Sequence, residues 1–285
     1  MEAKVMKKEL DTIAIVDSHA HACGEYLSEE SIRQKLKKSG CNKIILTPGQ
    51  YGSKTTYSLK NKTLRNPLAD VMSKHNKMNS VLMKLIGTIK QVPRGNEYVY
   101  ELVKIMPDTV YQSYWVTKAN IDRLDEDYER MKFVSVKLHQ CWEKFFIDDE
   151  YFKKVALWAE NKGVPLFIHV YSRDEVLKLI EYIKGHPDLK IVIGHLFCLE
   201  DFIKLSKHVV ENVYFDLSNC YFVSKERFML GYKAFGAEHF LLGSDTPYGK
   251  NAFENTLDMI RNSGISNFDV DNICGKNAMR LYNIN

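Results

Sequence analysis

Eight short apolar runs alternate with segments of helical spacing, and this alternation limits the possible folds more than any other feature of the chain. The runs lie at residues 12–16, leading into Asp17-Ser18-His19-Ala20-His21, and at 42–47, 110–116, 133–139, 165–170, 190–195, 213–217 and 239–243. End signals and periodicity predict helices over 27–40, with Ser28 as N-cap, and over 96–106, 148–162, 172–184, 199–209, 224–235 and 251–262, with a short acidic helix ending near Arg130. Strands alternating with helices specify a parallel sheet with crossovers. Closing eight of them into a (β/α)8 TIM barrel leaves no edge unpaired. A tail helix over 272–282 ends the chain.

At 285 residues the chain has the length of one such barrel, which takes about 250 residues, so a single domain over 1–285 is expected. Its 45% hydrophobic and 27% charged residues are those of an ordinary globular protein. A net charge of +4, from 40 basic and 36 acidic residues, is too balanced for a nucleic-acid footprint. MEAKVMKKELDT lacks the apolar core of a signal peptide, and no run approaches the roughly 18 apolar residues of a membrane span. A cytoplasmic protein without nucleic-acid or membrane partners is the expectation. The six cysteines form no CxxC pair and read as reduced thiols; Cys23, two residues past His21, is the one placed to line a pocket.

The chemistry sits at the ends of the runs. His19 and His21, two apart on an extended strand, point the same way, so one ion can touch both. Three further runs end in metal-capable or acid-base residues: PLFIHV at His169, IVIGHL at His195 and HFLLGSD at Asp245. In a parallel barrel the carboxyl ends of different strands converge on one pocket. Run four offers Lys137 and His139, whose spacing puts both on one face. Tyr171, Arg173, Asn219, Tyr248 and Lys250 follow strand ends and face the mouth by position. Trp115, Trp142 and Trp158 read as packing residues, with Trp142 the exception because it follows run four. His186, His208 and His239 belong to a turn, a helix and the opposite end of the barrel.

Residues 48–79 break the rhythm. This polar stretch follows the second strand, which places it at the mouth as an active-site flap with a short helix over 67–75. Lys54, Lys60, Lys62 and Arg65 either draw in an anionic substrate or form a solvated surface, and His75 is assigned to that surface.

The motifs DSHAH, VKLHQ, PLFIHV, IVIGHL, LLGSDTPYG and the closing NICGKNAMRLYNI, in this order, resemble the amidohydrolase superfamily, in particular its amidohydrolase-related (amidohydrolase 2) branch of metal-dependent hydrolases and decarboxylases. The resemblance implies that His19, His21, His169 and Asp245 bind a divalent metal, with His195 a further ligand or an acid-base group. Imidazoles plus one carboxylate suit one Zn2+ with a position open for water, whose pKa the ion lowers from about 15.7 toward 7. Mn2+ fits the same donors, and a carboxylated Lys137 would add a second ion. Otherwise Lys137 and His139 orient an anionic group. Asp245 would then accept the water's proton and His195 would polarise the substrate.

The expected activity is metal-dependent hydrolysis of a C–O or C–N bond in a small, anionic metabolite, with non-oxidative decarboxylation as the alternative. A nuclease is disfavoured because strand four lacks a Glu, and the non-enzymatic reading because no ligand position is lost. The resemblance also makes a homodimer an expectation.

Overall fold

Short runs rich in Ile, Val and Phe pair side by side in chain order and wrap into a barrel. The computed structural model describes residues 13–86 and 88–285, and their side chains except at 83–88; Thr12 and the reading of MEAKVMKKELDT lie outside the described residues. The strands are β1 (Val16–His21), β2 (Lys43–Thr47), β3 (Val110–Trp115), β4 (Ser135–His139), β5 (Leu166–His169), β6 (Ile191–Ile193), β7 (Val213–Asp216) and β8 (Phe240–Leu241), all parallel to their neighbours. β8 meets β1 through Ser18 N–H to the Leu242 carbonyl (2.8 Å) and Asp245 N–H to the His19 carbonyl (2.8 Å). The expected (β/α)8 barrel is the fold found.

The helices are α1 (Glu29–Ser39), α2 (Met72–Ile86), α3 (Val92–Ile105), α4 (Leu124–Met131), α5 (Glu150–Lys162), α6 (Arg173–Lys184), α7 (Leu199–Ile203), α8 (Lys207–Val210), α9 (Lys225–Phe235), α10 (Ala252–Arg261), α11 (Asn267–Asp271) and α12 (Asn277–Tyr282). Ser28 caps α1 as read from the sequence, its hydroxyl accepting the Ser31 N–H, and Gly40 closes that helix at φ 72°. None of the described helices is long and apolar enough to cross a membrane.

Inside the barrel, Val16, Ile45, Phe167, Val192 and Leu241 pack on Ala278, Leu281, Tyr282 and Ile284, so the tail plugs the amino end. Gly275 allows this approach: a Cβ there would collide with the Ala14 carbonyl oxygen. The open end is therefore the carboxyl rim, where pairing sets Trp115 beside Lys137 and His139 beside His169.

Several boundaries differ from expectation. The flap helix runs from Met72 to Ile86 rather than over 67–75, because the Asp70 carboxylate accepts the Met72 N–H (3.0 Å) and starts it later. The 199–209 helix is two pieces, α7 and α8. The tail opens with a π-helical turn (Asn272–Lys276) before α12. β6 stops at Ile193, leaving His195 in the following turn at φ 59°, and β8 stops four residues before Asp245, itself at φ 56°.

The flap root is tied to the barrel by a buried guanidinium. Arg227 on α9 is 2% exposed and donates to Glu200 (2.5 Å), to the Leu68 carbonyl (2.9 Å) and to the Leu196 carbonyl (3.1 Å), with Asp70 at 3.4 Å. Removing one partner of a buried pair costs about 3–5 kcal/mol; because Glu200 and Asp70 keep partial access to water, Arg227→Met is expected to cost about 2–4 kcal/mol in urea unfolding. Exposed Arg33→Ala should stay within about 0.5 kcal/mol. A loss below about 1 kcal/mol for Arg227→Met would show that this tie carries little.

Candidate metal centre and cavity

The buried imidazoles at the rim are oriented from behind. His19 Nδ1 donates to Asp216 (3.0 Å) and meets Ser218 Oγ (2.9 Å), while His21 Nδ1 donates to the Pro48 carbonyl (2.7 Å). A ring that gives up its Nδ1 proton in a hydrogen bond keeps the Nε2 lone pair for a ligand. Burial holds both rings below the usual histidine range, with the Lys137 charge adding to the effect, so both are neutral donors.

Those two Nε2 atoms face one carboxylate. Asp245 Oδ1 lies 3.6 Å from His19 Nε2 and 3.3 Å from His21 Nε2. Burial alone would raise the Asp245 pKa, but the cluster of His21, His19 and His195 around it outweighs burial and holds the carboxyl below its usual range. Two neutral imidazoles and an ionised carboxylate, with donor atoms within 4.8 Å of one another, are the donor chemistry of a divalent cation. Lys137 Nζ sits against the same group, 2.8 Å from His19 Nε2 and 3.3 Å from His21 Nε2, and burial lowers its pKa to about 8.

His169 stands apart from the three in this geometry. Its Nε2 donates to Asn76 Oδ1 (2.8 Å), and Asn76 is fixed in that sense because its amide donates to the Val170 (2.8 Å) and Tyr171 (3.0 Å) carbonyls. Of the four expected ligands, His19, His21 and Asp245 lie together, while the His169 Nε2 is engaged by Asn76. His139, Cys141 and His169 also gather donor atoms within 4.8 Å, but the two rings stack at 4.0 Å and 8°, so their in-plane lone pairs do not converge. That trio does not fit an ion.

His195 donates from Nδ1 to the Ser218 carbonyl (2.5 Å) and lines the same cavity as the ligands. The cavity measures about 190 Å³. Its floor holds His19, His21, Lys137, His139, His169, His195 and Asp245, and its walls are Tyr57, Leu59, Met78, Leu82, Trp142, Phe222 and Tyr248. Trp142 and Tyr248 therefore stand where the sequence suggested. Trp115 packs beside them, while Trp158 donates to Asp125 (2.9 Å) on the outside.

Other expectations need correction. Arg173 does not reach the cavity, because Asp201 holds its guanidinium in two 2.7 Å bonds. Tyr171 lines a separate small pocket with Gln140 and Glu175. Asn219 donates to the Tyr248 carbonyl, and Lys250 is exposed. Cys23 is buried outside the cavity lining, and burial pushes its thiol up to about 12, which removes it as a nucleophile. Lys54, Lys60, Lys62 and Arg65 are exposed and do not line the cavity. His75, by contrast, does line it and packs on Phe222 at 4.4 Å.

Sequence reasoning missed Asp216, whose signal was present: VYFD is one more apolar run ending in a carboxylate. It also missed Asn76 and Gln50, the latter lining the cavity and accepting from the Tyr57 hydroxyl (2.5 Å), neither of which any local pattern marks.

A parallel barrel with a candidate His-His-Asp metal site at its carboxyl rim fits a metal-dependent enzyme. Residues 92–284 match the amidohydrolase family model, and the chain belongs to that family, whose members use a divalent metal. No curated protein sequence matches the chain. Among solved structures it is similar to 2,6-dihydroxybenzoate decarboxylase from Rhizobium (14% identity, 95% of this chain and 99% of that chain, TM-score 0.67). It is also similar to a dihydroxybenzoic acid decarboxylase from Polaromonas sp. JS666 with bound manganese and 2-nitroresorcinol (12%, 95% and 97%, 0.64). A third is 4-oxalomesaconate hydratase from Rhodopseudomonas palustris (15%, 94% and 95%, 0.61). At these identities the likeness is one of fold.

Metal titration of the variants tests the seat. His19→Ala and Asp245→Asn should each lower Zn2+ or Mn2+ affinity at least tenfold, and His169→Ala should lower it less than either. Lys137→Met should still bind one ion within about threefold of the parent; total loss would make Lys137 a ligand.

Proposed function

We propose that the chain is a metal-dependent decarboxylase of a compact, ring-bearing carboxylic acid, cleaving a C–C bond without oxidation. One observation carries this reading: a cation seat opens into a small cavity walled by Tyr57, Trp142, Phe222 and Tyr248, with Leu59, Met78 and Leu82 above. Flat apolar walls suit a ring. Among the described lining residues Lys137 is the one Lys or Arg, so the acid is drawn to the seat and not to the walls. Two of the three solved structures above are decarboxylases of hydroxylated benzoates, which supports the same reading.

His19, His21 and Asp245 would hold the ion, with His169 the nearest further donor. When bound, the ion supplies positive charge that anchors the acid and any neighbouring oxygen. The walls exclude water from the carboxylate and hold the ring in one plane. As CO2 leaves, the bonding electrons stay on the ring carbon and that carbon takes a proton. His195, with Nδ1 committed to the Ser218 carbonyl, has Nε2 free to carry that proton. Lys137 pairs with the acid or with the donors of the seat.

Hydrolysis of a C–O or C–N bond is the second reading, favoured by the ionised Asp245 carboxylate at the seat, which is placed to accept a proton from water. Incubating the Zn2+- or Mn2+-loaded protein with benzoates, lactones and amides separates the two. CO2 equal to the acid consumed is expected, and hydrolysis without CO2 would pass the assignment to the second reading. His195→Asn should lower kcat at least about 100-fold while keeping its metal; complete loss of the ion would make His195 a ligand.

A further inference from the structure

Two side chains that line the cavity carry a buried polar atom with no hydrogen-bond partner among the described residues: Tyr248, whose ring lies beside His21 at the seat, and His75 on the flap side. His75 Nδ1 is buried and has no hydrogen-bond partner among the described residues, although its ring lines the cavity on the flap side. Burying such an atom unsatisfied costs about 1–3 kcal/mol, a cost that native structures rarely carry without a partner arriving from outside. The ring is also held in place. Phe222 packs on it at 4.4 Å, and the next residue of α2, Asn76, fastens the helix to the end of β5 through the Val170 and Tyr171 carbonyls.

We propose that His75 is a specificity residue, receiving an uncharged hydroxyl on the ring of the substrate, on the side away from the group bound at the cation seat. This rests on the reading of the cavity as a site for ring-bearing acids and names which of them it takes. A hydroxyl both donates and accepts, so it satisfies Nδ1 in either tautomer. A second carboxylate only accepts, and the described wall offers it no fixed cation; Lys62, whose ammonium lies 5.7 Å over the Phe222 ring, is outside the lining. Burial, with the Lys62 charge second, lowers the His75 pKa to about 4, so the ring is neutral at physiological pH and does not itself supply that cation. The aromatic walls pass the ring, and His75 chooses its substituent.

Calorimetry on the Zn2+-loaded protein with four probes tests this: benzoate, 3-hydroxybenzoate, 4-hydroxybenzoate and terephthalate. Benzoate binding that vanishes on removal of the metal supports the underlying reading; absence of benzoate binding to the loaded protein would overturn that reading, and the proposal with it. Given benzoate binding, the better hydroxybenzoate should bind about fivefold to tenfold tighter than benzoate, the worth of one neutral hydrogen bond. His75→Phe should shrink that advantage below twofold, with benzoate as each variant's own reference, and His75→Gln should restore it. If His75→Phe fails to bind benzoate, His75→Leu makes the same comparison. An advantage that survives loss of the imidazole, or terephthalate binding tighter than benzoate, would overturn the proposal while leaving the ring-acid reading in place.

Discussion

The carboxylate of Asp216 is the constraint on which the site depends. It is fully buried at the end of β7, where it accepts from His19 Nδ1, from Ser218 Oγ and N–H, and, at 3.4 Å, from the His195 N–H. Three strands thus converge on one charge. Burial raises its pKa to about 6, in keeping with the cost of placing a charge there, and both oxygens accept hydrogen bonds that offset it. With Asp216 in position His19 has one tautomer and one direction, and its Nε2 points at Asp245. Gly243 makes the approach possible, since a Cβ at that position would press on Asp216 Oδ1, the His19 Cβ and the Ser218 Cβ.

The roof obeys a different rule. A surface helix on a barrel normally lays an apolar stripe on the core, yet the face α2 turns inward is mixed, His75, Met78, Asn79 and Leu82, and Met78 and Leu82 stay substantially exposed. Such a face is tolerable because the space beneath is a cavity, not core. Asn76 uses its whole amide on β5 and its loop, which gives α2 a fixed rotation and carries His75 and Met78 over the opening. Below it, Arg227 and Ser224 hold the flap root against α9, so roof and rim share one anchor at the Leu196 turn.

This division explains what could be read from the chain alone. Strand-end residues such as His19, His21, Lys137, His195 and Asp245 were legible because each closes an apolar run, and a parallel barrel brings such ends together by construction. The number and order of strands followed from the same alternation. His75 was not legible, because a polar residue in a polar helix looks solvated unless one knows that the helix covers a hole. Arg173 failed for the opposite reason: chain position aimed it at the mouth, but Asp201, 28 residues on, claimed both ends of its guanidinium. The role of His169 turned on Asn76, 93 residues earlier, in the segment with the weakest pattern.

Backbone conformation concentrates where chemistry is placed. His195, Leu196, Cys198 and Asp245 are non-glycine residues with φ between 52° and 59°, all just past the ends of β6 and β8. Each left-handed residue costs about 1–2 kcal/mol, which local sequence preference would avoid. β6 stops early because continuing it would send His195 outward with Ile191 and Ile193; the turn bends that side chain back over the barrel axis. The opposite end of the barrel, closed by Phe167, Leu281 and Tyr282, has the packing to sustain that cost. Strain at the rim and density at the plug are therefore two sides of one arrangement, in which a well-packed floor allows a conformationally expensive mouth.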